Sequence, residues 1–374
     1  MADMRMKTSL KELISKEKGF LVVAVALVLM PFAINLVTGS GLNSGITKYW
    51  EGQFINFFIM AVLAMSYDLL IGYSGTLSFG HAAFFGGGAY TTALLLTHWG
   101  PTITENYRIM LPGGVDITSA IIFAVAILAA VLVSLLIGLL FSATSIRLKG
   151  AYFAMLTLAL GQAIHIITKS TDLVKWTGAD EGLHGVPVPA WINPTQFRLR
   201  FYFIALVFMV ICYLVMRRFS NSPTGRVVVA TRENESRMRM IGFNPVTFRT
   251  ITFLISGLFA GLAGAMYSLW NMSATPTMTS AVISINVLII VILGGIGTLT
   301  GPILGAGIMQ AFSLVLYEWF GARWPLVFGF IFILIVIFIP YGIVGTWNAQ
   351  MPKIEKIRQR LLAWVKSKRE IKEK

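Results

Sequence analysis

Ten apolar runs dominate this chain, at about residues 20–38, 54–71, 79–97, 118–143, 150–168, 200–217, 249–270, 282–296, 302–320 and 324–342. Each is close to the roughly 20 residues that a helix needs to cross a bilayer. Only 12% of the 374 residues are charged and 56% are apolar, with a mean hydropathy of +0.76. A soluble domain carries roughly 25% charge, so this chain has too little polar surface to dissolve. The pattern predicts an all-α polytopic membrane protein with about ten transmembrane or membrane-embedded helices, placed in the cell (inner) membrane. No small-residue cleavage site follows the first run, which reads as a retained span rather than a removed signal peptide.

The net charge of +14 is distributed as a membrane protein distributes it. Twenty-three of the 30 basic residues fall in the N-terminal tail, at Arg147 and Lys149, at Arg217 and Arg218 and in the loop at 219–250 that follows them, and in the tail from Lys353 onward. With ten crossings all of these lie on one side, which the positive-inside rule makes cytoplasmic, together with both termini. The remaining seven, Lys48, Arg108, Lys169, Lys175, Arg198, Arg200 and Arg323, fall outside or at outer helix ends. Basic residues confined to loops beside apolar spans argue against a nucleic-acid partner. The chain divides into a cytoplasmic tail at 1–19, a transmembrane domain at 20–345 and a basic tail at 346–374. In that last tail Ile354, Ile357, Leu361, Leu362, Trp364 and Val365 alternate with bases, as in a helix lying on the inner membrane face.

The second and third runs are separated by Gly72-Tyr-Ser-Gly-Thr-Leu-Ser-Phe-Gly-His81. Ten small and polar residues there form a tight turn or leave backbone unwound at membrane depth. Lipid cannot satisfy unpaired backbone groups, so such chain persists only against protein or a wet cavity. Asp68, Ser74, Gly75, Ser78, Gly80 and His81 are therefore candidates for a translocation path. Gly75-Thr-Leu-Ser is echoed by Gly297-Thr-Leu-Thr in Gly294-Gly-Ile-Gly-Thr-Leu-Thr-Gly-Pro302, which adds Gly294, Gly295 and Gly297. Paired interruptions of this kind point to the binding region of repeat-built transporters. Close helix packing by small residues is the competing reading, and the first reading of Gly257, Ala260, Gly261 and Gly264. Gln162 and His165 share a helix face in the fifth run.

Several functions are disfavoured. No Gly-x-x-x-x-Gly-Lys-Ser/Thr is present, so no P-loop binds ATP. No His-Glu-x-x-His or cysteine pair marks a metal site, and Cys212 is the only cysteine. No catalytic residues and no cofactor are expected. Ionisable groups within the spans are few, namely Asp68, His81, His165 and Glu318, whereas ion-coupled carriers usually place carboxylates or relays there. The composition suits a pathway driven from elsewhere.

Gly72 to Tyr90, reading GYSGTLSFGHAAFFGGGAY, resembles the signature of the LivM-type permeases of branched-chain amino-acid ABC importers. Arg147-Leu-Lys-Gly-Ala-Tyr-Phe-Ala-Met-Leu-Thr-Leu-Ala159 is similar to their next block. Ser222-Pro-Thr-Gly-Arg-Val and Arg232-Glu-Asn-Glu-Ser-Arg resemble their cytoplasmic loop, and the runs at 256–265 and 292–302 resemble two more blocks. Urea and short-amide permeases share much the same blocks and stand as the alternative, with a stand-alone ion-coupled carrier or channel as a second class. The resemblance implies a heterodimer with a related permease subunit, two ABC ATPase subunits that bind the ATP, and an extracytoplasmic solute-binding protein. It makes 219–250 an ATPase-coupling loop, with Arg226, Arg232, Glu233, Asn234, Arg237 and Gly242 as the expected contacts and a short helix at 231–240 ended by Gly242 and Asn244-Pro245. The external loop at 169–199 offers Asp180 and Glu181 for docking of the binding protein.

Overall fold

The structure is a computed structural model and describes residues 18–39, 41, 44–100, 110–111, 115–116, 118–145, 148 and 150–347. The basic N-terminal tail before residue 18, Arg108, Arg147, Lys149 and the basic tail from 348 to 374 lie outside the described residues.

The apolar runs become helices α1 (Lys18–Thr38), α2 (Gly45–Asp68), α3 (Ala82–Leu94), α4 (Thr118–Ser145), α5 (Ala151–Lys169), α7 (Arg198–Asn221), α10 (Pro245–Asn271), α11 (Ala281–Gly294), α12 (Thr300–Phe320) and α13 (Trp324–Phe338). The short α6 (Val174–Thr177), α8 (Pro223–Glu233) and α9 (Glu235–Met240) lie in the connections. Among the described residues, six continuous stretches are long and apolar enough to cross a membrane by themselves: Gly45–Ser74, Thr118–Thr144, Ala151–Lys169, Arg198–Asn221, Pro245–Asn271 and Thr300–Trp347. The last contains both α12 and α13, joined by a single 3-10 turn at Gly321–Arg323.

α3 and α11 are different. α11, with 14 residues, reaches only about 20 Å, short of the roughly 30 Å hydrocarbon core, while the 13-residue α3 runs on directly into a π-helical stretch at Leu95–Trp99. Their beginnings meet, because the backbone N–H of Ala82 donates to Ser284 Oγ at 2.8 Å. The chain thus starts two helices at one internal point.

α2 begins nine residues before the apolar run that announced it, taking in Lys48 and Glu51. A helix needs apolar residues only where it meets lipid, and 78% of this span is buried inside the protein, against 22% of α4. α2, α3 and α10 form the centre of the bundle. α10 packs on α3 and α4, while α2 touches α7, α10 and α12. The α3–α10 contact is made backbone to backbone. A β-carbon on Gly88 would overlap the carbonyl of Gly261, and one on Gly264 would overlap the carbonyl of Phe85. Dispersion at this distance replaces the hydrophobic drive that lipid removes. Phe84, Phe141, Phe153 and Phe253 fill the space beside it, with ring centroids 5.4–6.3 Å apart.

The connections segregate to opposite ends of α10. At its C-terminal end β1 (Leu183–His184) pairs antiparallel with β2 (Ser273–Ala274), in the register Leu183↔Ala274 and His184↔Ser273. The Val186 N–H donates to Met272 O at 3.0 Å, tying the 169–199 loop down. At its N-terminal end sit α8 and α9. The expected single helix at 231–240 is in fact two. Ser222 caps α8 through the Gly225 N–H at 3.1 Å, so that helix opens at Pro223. Asn234 breaks the run and caps α9 by accepting from the Arg237 N–H at 2.9 Å. Asn competes with helical hydrogen bonds by offering its own side chain to the backbone, which is why a stretch without Gly or Pro still divides. Asn244 in turn caps α10, with Pro245 in its first turn.

Replacing Gly261 with Leu is expected to destabilise the bundle by about 1–3 kcal/mol through overpacking. Gly329→Ala, where an added β-carbon meets nothing within 4 Å, is the matched control. Thermal melting of the detergent-purified protein would show G261L falling well below both wild type and G329A.

A candidate coupling joint in the bundle

The candidate site is the region where the two glycine-rich interruptions meet. After Asp68 the helix widens into a π turn at Leu69–Ser74 and ends at Gly75, whose φ of +71° only glycine adopts freely. Residues 75–81 are non-helical before α3 begins. The second interruption, between α11 and α12, is held against the first. Asp68 Oδ1 accepts from the Gly297 N–H at 2.6 Å, and Oδ2 accepts from the Leu299 N–H at 3.1 Å. Asp68 is fully buried. The two backbones touch at Gly72 and Gly297, where a β-carbon on Gly72 would lie 2.6 Å from Gly297 Cα. Gly297 (φ +79°) repeats the left-handed conformation of its echo partner Gly75. Leu299 holds the same region of backbone space at φ +54°, which costs a bulky residue about 1–3 kcal/mol. The bond from its N–H to Asp68 offsets that strain.

The remaining unwound backbone is satisfied by side chains from other helices. The Phe79 N–H donates to Thr157 Oγ1 of α5 at 3.2 Å, and the Ala82 N–H uses Ser284 of α11. Gly80 lies against the Thr157 backbone, and a β-carbon on Gly161 would come within 2.9 Å of Gly80 Cα. His81 is buried and accepts no role at the surface. Ser66 spends its proton on Leu63 O at 2.7 Å, so His81 donates from Nε2 to Ser66 Oγ at 2.9 Å. Its ring lies edge-on to Tyr67 and Phe84, with centroids 5.0 and 5.6 Å away. His81 Nδ1 and Ser78 Oγ have no partner among the described residues. Ser74 is buried, and Thr76 Oγ1 donates to its hydroxyl at 3.4 Å. Gly294 sits against the backbone of Gly301, and Gly295 (φ +122°) against residues 341–345. Of the nine residues expected along a path, Gly75 alone is well exposed. It borders a cleft of about 410 Å³ lined by Thr76, Leu77, Gly150, Phe153 and Arg249.

From the 219–250 segment, Arg232 reaches the seam of this joint. The Arg232 guanidinium at the end of α8 donates to the carbonyl of Gly72, and its side chain covers Gly75, where a β-carbon would lie 2.8 Å from Arg232 Cγ. Arg226, Glu233, Arg237 and Gly242 are exposed, and Asn234 is the cap of α9. Glu235 was not singled out from the sequence, yet it staples the element to the bundle. It accepts from Arg239 Nη2 at 2.6 Å and from Arg249 Nη2, on α10, at 3.0 Å. Only the Arg239 pair had a signal, its i,i+4 spacing. Ser66, Thr157 and Ser284 were also missed, because a serine or threonine within an apolar run looks the same whether or not it serves distant backbone. At the other end Asp180 pairs with Lys169 at 2.9 Å on the surface, and Glu181 is exposed. His165 Nδ1 lies 2.9 Å from Thr279 Oγ1 and 3.0 Å from Pro276 O, pinning the 3-10 turn Pro276–Thr279 that precedes α11.

Residues 51–339 match the family described as branched-chain amino acid transport system / permease component. The chain belongs to this family. It is 27% identical over 317 residues to the high-affinity branched-chain amino acid transport system permease protein LivM of Salmonella typhimurium, covering 78% of this chain and 69% of the relative. A probable LivM of Methanocaldococcus jannaschii is 25% identical over 331 residues, or 79% of this chain and 93% of the relative. The ribose import permease protein RbsC of Escherichia coli is 29% identical over 148 residues, 38% of this chain and 41% of the relative. No solved structure matches the chain. The protein is thus a multi-pass inner-membrane permease component.

Replacing Asp68 with Ala strands two buried N–H groups, each costing about 1–3 kcal/mol. Asp68→Asn keeps one acceptor oxygen and should recover part of that loss. Amide hydrogen exchange at Gly297 and Leu299 is expected to accelerate strongly in D68A and less in D68N.

Proposed function

We propose that the chain is one membrane subunit of an ABC importer for branched-chain or similar hydrophobic amino acids, carrying no ATPase site of its own. The observation that carries this reading is the Arg232 contact. An exposed helix–break–helix element at the N-terminal end of α10 reaches through one guanidinium to the seam of both helix interruptions. Push or pull on α8 reaches the Gly72 carbonyl directly, and from there Asp68 and the 294–301 loop. That is the arrangement a solute path needs if its energy comes from ATP hydrolysed on other subunits. α8 and α9 would face the cytoplasm and dock an ABC ATPase through Arg226, Glu233 and Arg237. Both termini would lie on that side.

The opposite end would face outward. The 169–199 loop, tied down by the β1–β2 pair, presents Asp180 and Glu181 toward an extracytoplasmic solute-binding protein. A related permease subunit would complete the path, and two ATPases would complete the assembly. The names of the LivM relatives support branched-chain amino acids as the solutes.

The test uses the whole importer in proteoliposomes. Arg232→Ala should retain the ATPases on purification and lower leucine uptake about tenfold or more, an effect on coupling rather than assembly. The pair Glu233→Ala and Arg237→Ala should lose the ATPases. If Arg232 and Glu233 are both replaced and association and uptake persist, the coupling role is wrong.

A further inference from the structure

The joint described above is closed, and another part of the molecule has the chemistry of a path. Three helices meet around a groove of about 150 Å³ whose lining includes Met60 of α2, Asn286 of α11 and Gln310 of α12. The spacing explains why these residues share a face. Ile283, Asn286, Val287 and Ile290 recur at three and four residues on α11, as do Ala306, Met309, Gln310 and Ser313 on α12, while on α2 Asn56 and Gln53 stand one and two turns before Met60, outside the lining itself. The groove falls near the middle of α2 and α12, far from either end of the bundle.

Amides at that depth are unfavourable against lipid and are found facing protein or water. Here they are only partly used. Gln310 Nε2 donates to Gln53 Oε1 at 2.5 Å, and Ser313 donates to Gln310 O at 2.8 Å. The Asn286 side chain lines the groove with no side-chain hydrogen bond among the described residues, and Asn56 Oδ1, outside the lining, is buried without a partner. Each Gln of the bridged pair keeps donor and acceptor capacity to spare. The groove therefore offers both N–H donors and C=O acceptors, no fixed charge, and a wall of Met60, Ile283, Val287 and Met309. An apolar cavity on the order of 150 Å³ accommodates a benzene-sized body.

We propose that this amide-lined groove between α2, α11 and α12 is the chain's half of the solute path and binds a zwitterionic amino acid with an aliphatic side chain in passing. The amide oxygens take the ammonium group, the amide N–H groups take the carboxylate, and the methionines and branched residues take the side chain. Neutral partners suit transit, because a path must bind well enough to admit solute and weakly enough to release it. A fixed charge would trap one end of the zwitterion. The proposal deepens the amino-acid importer reading and rests on it.

Two measurements on the assembled importer test it. In a Cys212→Ala background, Ser313→Cys should react with a charged, water-soluble methanethiosulfonate, and leucine should slow that reaction. Val315→Cys, on the opposite and exposed side of α12, should react far more slowly. Asn286→Leu with Gln310→Leu should lower leucine uptake about tenfold or more while the complex still purifies intact. Labelling at 313 no faster than at 315 overturns the groove as a wet path, as does uptake unchanged by the double substitution. A wild-type importer that accumulates no leucine counts against the amino-acid reading instead. The labelling at 313 then still decides whether the groove is wet.

Discussion

Everything at the centre of this protein depends on one buried carboxylate. Asp68 stands where α2 loosens, and its two oxygens hold the N–H groups of Gly297 and Leu299 across 229 and 231 residues of chain. Hydrogen bonds to a charged acceptor are stronger than neutral ones, and inside a low-dielectric bundle they are hard to replace. Without them the α11–α12 connection has two unpaired donors and a leucine in a left-handed conformation with nothing to hold it there. The glycines serve the same contact. Gly72 and Gly297 let the two backbones touch, and that proximity brings the Asp68 oxygens within reach.

From this point the structure can be followed outward in both directions. On one side the Gly72 carbonyl is taken by Arg232, so the surface element formed by α8 and α9 is mechanically continuous with the seam. Glu235 fixes the same element to α10 through Arg249. On the other side, α3 and α11 meet at Ala82 and Ser284; α3 packs on α10, and α11 packs on α12 and α2. A movement at α8 therefore reaches the helices that flank the amide groove without crossing any flexible linker. The groove's α11 wall ends in the very loop that Asp68 holds.

Much of the fold was legible in the sequence, because hydropathy over about 20 residues is a direct statement about solvent. The apolar runs became helices, and Gly257, Gly261 and Gly264 lie on the packed face of α10, where their lack of a side chain is used. The glycine-rich break was legible as a break. Its role was not, since Ser78, Gly80 and His81 could as well have lined water as protein, and the structure encloses them in the bundle. The division of 231–240 at Asn234 was missed because the capping competition of one side chain is weak beside the composition around it. The groove was missed for a plainer reason. Asn286 and Gln310 are isolated amides in two separate runs, Gln53 stands just before a third, and nothing local marks them as neighbours.

The sequence by itself determined the solvent, the number and rough limits of the apolar helices, the two interruptions and the family, because each is written in contiguous residues. Tertiary structure alone decided that the interruptions face each other, that Asp68 and Arg232 serve the same seam, and that scattered amides meet in one groove. Those contacts span more than 150 residues of chain, and which residues meet at such separations is settled by how helices pack.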